Sequence, residues 1–114
     1  MKFISFEKDR KLLFGIIKND SIYDLHAINP NISESMLGFI QGGKNQLDLA
    51  QKIIQENEPS ININDVKLLS PLTNPPSVRD AYAFRQHVAT ARRNRGLEMI
   101  PEFDEIPIFY FTNH

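Results

Sequence analysis

Asp80 and His87 are the two side chains of this sequence whose chemistry and spacing could serve one reaction. They lie in the run Ser77-Val78-Arg79-Asp80-Ala81-Tyr82-Ala83-Phe84-Arg85-Gln86-His87, which follows Asn74-Pro75-Pro76 and leads to Arg92-Arg93-Asn94-Arg95-Gly96. A helix turns about 100° per residue, so seven residues are almost two turns and both side chains emerge from one face, roughly 10 Å apart along the axis. On that face the carboxylate would hold a hard cation and the imidazole would move a proton. Tyr82 and Tyr110 offer hydroxyls that could orient a polar ligand, and Arg95 a fixed cation that could clamp a carboxylate.

Each of these residues also has a plain structural role. With Ser77 as N-cap, Asp80 is the fourth residue of a Ser-x-x-Asp capping box, and spacing alone favours that role. One carboxylate is not a metal site, because Mg²⁺ or Ca²⁺ needs several oxygens. His87 sits among Phe84, Val88 and Ala91, as an ordinary surface or core histidine would. Tyr82 and Tyr110 could simply pack, and Arg95 could complement the negative end of the helix dipole. Arg92-Arg93-Asn94-Arg95 could be a phosphate patch, but it lacks interleaved aromatics and any recognisable nucleic-acid module. Glu56-Asn57-Glu58 has the look of a two-carboxylate metal pair, yet it falls at the frayed end of an amphipathic helix and reads as a solvated cluster. His26 and His114 have no partner legible in the sequence. There is no Gly-rich phosphate loop, Gly-x-Ser-x-Gly elbow or His-Glu-x-x-His.

Composition narrows the classes. A chain of 114 residues is long enough to bury a core without staples. Its formal net charge of −1 argues against a nucleic-acid or membrane-surface binder. The absence of cysteine excludes disulfides, thiolate nucleophiles and Cys-ligated zinc, and fits a cytoplasmic protein. The N-terminus reaches charged residues too early for a signal peptide, and no apolar run approaches a membrane span.

The elements that must position the candidates read as α+β. Residues 2–6, 12–18 and 21–25 make a small antiparallel meander, with a charged turn at residues 7–11 and a two-residue turn at Asn19-Asp20. Residues 26–32 are expected to be a loop around Pro30. Ser33 caps a short helix over residues 34–40, which Gly42-Gly43 breaks. A longer helix over residues 44–55 turns Leu47, Ala50, Ile53 and Ile54 to one face. Residues 61–64 give a weak strand signal and residues 66–69 a stronger one. Prolines at 71, 75 and 76 mark a boundary at residues 70–76. The Asp80 helix opens the second part and stops at Gly96. Residues 106–111 form an apolar strand close to the end of the chain; it wants partners on both sides, which suggests a fragment of a longer protein. A strand paired with residues 66–69 is the alternative.

The run from Asn74 to His87 resembles the entry segment of the fumarylacetoacetate hydrolase family. Arg95-Gly96-Leu97-Glu98-Met99-Ile100-Pro101 and Ile106-Pro107-Ile108-Phe109-Tyr110-Phe111-Thr112-Asn113-His114 continue the likeness in order. Met1-Lys2-Phe3-Ile4-Ser5-Phe6 and Ser21-Ile22-Tyr23-Asp24-Leu25 resemble the N-terminal domain of bacterial members. The resemblance implies a metal-dependent enzyme, using Mg²⁺, Mn²⁺ or Ca²⁺, that hydrolyses, hydrates, isomerises or decarboxylates small β-keto and dioxo acids, with C–C bond hydrolysis the leading expectation. Asp80 would match a metal-ligating carboxylate and His87 the general base. Tyr82, Arg95 and Tyr110 would match substrate-holding residues, Arg95 only across a small gap. Family members carry a Glu-x-Glu pair and a further Asp in a C-terminal catalytic domain, and this sequence ends before any such domain. The expected organisation is an N-terminal domain over residues 1–70 and, over residues 71–114, a linker, helix and first strand of a truncated β-rich catalytic domain. The parent would be a cytoplasmic homodimer with a small keto-acid substrate and no nucleic-acid or membrane partner. The chain alone is expected neither to bind metal tightly nor to turn over. The rival expectation is a non-catalytic interaction domain that pairs through its C-terminal strand.

Overall fold

A computed structural model describes residues 1–113; the His114 reading lies outside them. The architecture is mixed α+β, with contacts clustering into two units, Met1–Thr73 and Asn74–His114.

In the first unit, β1 (Lys2–Lys8), β2 (Lys11–Lys18) and β3 (Ser21–Asp24) form the expected meander. The turn between β1 and β2 narrows to two residues, Asp9 and Arg10, both at positive φ (52° and 63°), as a twisted hairpin requires. Asn19 at φ 55° does the same for β2 and β3. The segment expected to be a loop instead opens with one helical turn, α1 (Leu25–Ile28), because Asp24 Oδ1 accepts the Ala27 amide at 3.1 Å. The next helix, α2 (Met36–Gln41), starts later than the Ser33 reading. Ser33 Oγ accepts the Ser35 amide, and Ser35 Oγ caps the helix at the Gly38 amide. Gly43, at φ 58°, supplies the left-handed step from α2 into α3 (Gly43–Glu56). Gln46 on α3 ties down the preceding loop by bonding Ser33 N and Asn31 O.

Two short strands follow. β4 (Ile61–Asn62) pairs with β3, and β5 (Lys67–Leu68) pairs with β1, giving the antiparallel order β4-β3-β2-β1-β5. The weak strand signal at residues 61–64 is half replaced by a 3-10 turn at Ile63–Asp65, because Asn62 Oδ1 accepts the Asn64 amide. That link joins opposite edges of the sheet. Five residue steps containing a 3-10 turn span about 13 Å, whereas four strand spacings in a flat sheet need about 19 Å. The sheet must therefore curl. Phe6 and Ile22 lie on its inner face, fully buried. On the outer face Phe14, Ile16 and Tyr23 pack with Leu25, Ile32, Met36, Phe39, Ala50 and Ile53. Ala50 and Ile53 are the buried members of the expected helix face, Ile54 packs beside them, and Leu47 is exposed.

The second unit departs further from expectation. The helix expected from Asp80 onwards begins instead with a strand, β6 (Val78–Ala81), and the helix α4 spans Arg85–Asn94. After one turn, α5 (Glu102–Glu105), comes β7 (Phe109–Thr112), which pairs antiparallel with β6 and not with residues 66–69. Cross-strand pairing wins over the capping-box signal because β6 has an aromatic strand to meet, and Arg79 lays its guanidinium over the Phe109 and Phe111 rings at 5.6 and 4.6 Å. The Gly96 stop is as read. Gly96, at φ 72°, and Leu97 donate to Arg93 O and Arg92 O, closing α4 in a Schellman motif.

Gly15 sits where β2 is closely approached by its neighbours on the inner face of the curl. A Cβ there would fall on the Tyr23 carbonyl oxygen and lie within 3.1 Å of Ile22 Cγ2 and 3.2 Å of Phe6 Cε1. Gly15→Ala should lower unfolding stability by about 1–3 kcal/mol in urea titration, as overpacking does; an unchanged midpoint would mean the curl is not tight there. Tyr23 has the opposite sign. Its hydroxyl is buried with no partner among the described residues. Tyr23→Phe keeps the ring and removes an unpaired polar group, so thermal unfolding should shift upward, equivalent to about 1 kcal/mol; a lower Tm would show that the hydroxyl is satisfied in solution.

Candidate functional site

Asp80 lies in β6, so its reading as a helix-capping residue is overturned, and so is the helical argument that seven residues place it beside His87. Strand geometry groups it differently. Residues two apart share a face, and the β6–β7 register sets Asp80 directly opposite Tyr110. Side chains opposed in this way have Cβ atoms about 4.5–5.5 Å apart. Tyr82, two positions beyond Asp80, follows on the same face, and its amide extends the pairing by donating to Ile108 O at 3.0 Å. One face of this two-stranded ribbon thus presents Asp80, Tyr82 and Tyr110. The opposite face carries Arg79 and its two phenylalanines.

His87 stands on the next element, in the first turn of α4, exposed. It lines a shallow, open depression with Phe84, Arg85, Gln86 and Thr90. Phe84 occupies the N-cap position and gives no side-chain cap bond. Val88, the next residue, takes the buried side of the helix at 1% exposure. Arg95 is the C-cap residue, exposed, and its guanidinium makes no hydrogen bond among the described residues. Eight residues of helix separate it from His87, about 12 Å along the axis. The structure therefore brings three of the five candidates together, sets the fourth on the adjoining element, and leaves the fifth at that element's far end.

Asp80 is an exposed carboxylate, and no group of three or more His, Cys, Asp or Glu side chains converges among the described residues. One such oxygen donor falls short of what a hard divalent cation takes. The residues present do not by themselves make a metal centre. Glu56 pairs loosely with Lys52 at 4.0 Å on the exposed end of α3, and Asn57 caps that helix through Ile53 O, in keeping with a solvated cluster. His26, which has no legible partner in the sequence, bonds Ile32 O through Nδ1 at 2.6 Å and lies 3.3 Å from Glu34 through Nε2.

A pair invisible to sequence reading lies next to the site. Arg85, at the start of α4, makes a bidentate bond to Asp104 of α5, Nε to Oδ1 at 2.8 Å and Nη2 to Oδ2 at 3.0 Å. Beside Asp104, Phe103 meets the Tyr82 ring edge-on, centroids 6.0 Å apart. Nothing periodic links residues 85 and 104. The one sequence signal is the acidic run Glu102–Glu105 following a helix whose first residue is basic.

No family profile matches the chain. A relative among curated proteins is named oxaloacetate tautomerase fahd2, mitochondrial, from Xenopus laevis; it is 29% identical over 58 residues, 51% of this chain. The match spans 18% of that relative's length. The relative belongs to the fumarylacetoacetate hydrolase family, which gives the resemblance weak support. No helix among the described residues is long and apolar enough to cross a membrane.

The Arg85 guanidinium, hydrogen-bonded to Asp104, holds its carboxyl below the usual carboxylate range. A depressed carboxylate stabilises the fold fully above its unfolded pKa, about 3.9, and that contribution disappears as pH falls through the lower folded value. Carboxyl NMR titration should place the Asp104 midpoint below about 3.9 and move it back towards that value in Arg85→Gln. A midpoint unchanged by the substitution would mean that the pair does not persist in solution.

Proposed function

We propose that this chain is the N-terminal portion of a fumarylacetoacetate-hydrolase-like enzyme acting on small β-keto or dioxo acids. The observation that carries the reading is the β6–β7 ribbon face presenting Asp80, Tyr82 and Tyr110, with the helix that bears His87 following β6 at once. The short match to an oxaloacetate tautomerase points to the same substrate class. Such acids have an acidic C–H between two carbonyls, and their chemistry needs a group that moves a proton beside donors that hold the oxygens. His87 is the proton-moving group, taking a proton from water in C–C hydrolysis or from the carbon in keto–enol exchange. The Tyr82 and Tyr110 hydroxyls donate to substrate oxygens. The geometry supports a clamping role for Arg95 least, given its distance along α4. Asp80 would supply one oxygen to a divalent cation whose other ligands come from residues outside this chain.

A second reading is favoured by β7. It pairs on one side with β6 and exposes Phe109, Tyr110 and Phe111, at 40%, 67% and 70%. Such a strand suits an interaction domain that binds by strand addition.

The test is a panel of acylpyruvates and oxaloacetate, with and without Mg²⁺ or Mn²⁺, on the intact parent protein. His87→Ala should lower kcat by about 10²–10⁴-fold while substrate binding changes little. Asp80→Asn should weaken metal affinity measured by calorimetry. A wild-type protein inert towards the whole panel, with β7 amides protected from exchange only at high concentration, would replace this reading with the second.

A further inference from the structure

We propose that α5 is the brace that sets the position of His87 relative to Asp80, with Asp104 and Phe103 as positioning residues. The role in catalysis rests on the keto-acid reading above; the brace itself does not. Between the end of β6 at Ala81 and the start of α4 at Arg85 lie three residues, 82–84. The backbone bonds of this link lie at its two ends, Tyr82 N to Ile108 O in the strand pairing and Phe84 O accepting Val88 N in the helix. Phe84 is 81% exposed and α4 has no side-chain N-cap, so the direction in which the helix leaves β6 is not fixed by the link itself.

Adjacent residues of α5 hold both ends of it. Phe103 packs edge-on against Tyr82 at the strand end, and Asp104 grips Arg85 at the helix end. Arg85 lies two residues before His87 in the same helical turn. The ion pair is half exposed on both sides, 60% and 51%, and an exposed pair adds little stability. What a bidentate fork adds is orientation, because two parallel bonds fix the plane of the guanidinium. Misplacing a reacting group by about 1 Å can cost about 10²-fold in rate, so orientation matters at this site even where stability does not. An ordinary surface ion pair would leave the position of His87 unchanged when broken.

The experiment uses Asp104→Asn, Arg85→Lys and the charge-swapped pair Arg85→Asp with Asp104→Arg. Backbone residual dipolar couplings in this chain report the orientation of α4 against the β6–β7 strand pair, and the amide spectrum of Met1–Thr73 serves as the folding control. Both single variants should reorient α4, since lysine keeps the charge and loses the fork, and the swapped pair should restore it. In the intact parent, Asp104→Asn should lower kcat by about tenfold to hundredfold with KM little changed. Couplings unchanged in Asp104→Asn would overturn the brace; shifted couplings with an unchanged kcat would overturn its role in catalysis. Shifted couplings in a protein that turns over no keto acid would support the brace and remove the keto-acid reading.

Discussion

The first unit depends on a connection too short for a flat sheet. The 3-10 turn Ile63–Asp65 must carry the chain from one edge of five strands to the other. Curling is the response, and the residues inside the curl follow from it. Phe6 and Ile22 fill the concave side, and the strand between them can approach only because Gly15 has no side chain. The convex side is left for α2 and α3 to cover with Phe39, Ala50 and Ile53. Hydrogen bonds from Ile63 N to Asp20 O and from Leu69 N to Ser5 O fasten the two edges after the turn is made.

Much of this unit was legible in the sequence, because local signals and tertiary packing agree there. The meander, its turn at Asn19-Asp20 and the α3 face rest on periodicity and turn chemistry that need no distant partner. The N-cap was misplaced by two residues because Ser33 and Ser35 are equally good on type. Only Gln46, thirteen residues on, decides that Ser33 belongs to the loop. The second unit was less legible for a stronger version of the same reason. Ser77-x-x-Asp80 is a sound helix-start pattern, and it loses to pairing with Phe109–Thr112, some thirty residues later. Propensity yields to a partner that the local pattern cannot contain. Chemistry and helical spacing pick out the candidate residues, and the resemblance supplies their roles. Strand register brings Tyr110 to Asp80, and the length of α4 separates Arg95 from the others.

The two units differ in how they hold themselves. The first has a continuous core of buried aromatic and aliphatic side chains. The second has Val88 as its buried apolar residue among those described, together with a two-stranded ribbon, a helix closed at its C-terminus and a bidentate ion pair. A proton-moving histidine placed on such a frame is positioned more by directed bonds than by packing. This explains why polar contacts at the surface carry weight here that they would not carry on the curled sheet.

The guanidinium of Arg79 over Phe109 and Phe111 has a bearing on colloidal behaviour. Phe109, Tyr110 and Phe111 form an exposed apolar strand edge of the kind that pairs with other chains. Edge-to-edge addition of such two-stranded units would repeat the arginine about every 9.5 Å along the growth axis, two strand spacings, and set like charges in a column. The side chain that lies over the rings thus acts as a gatekeeper against self-association, a task for which a neutral residue of equal size would not serve.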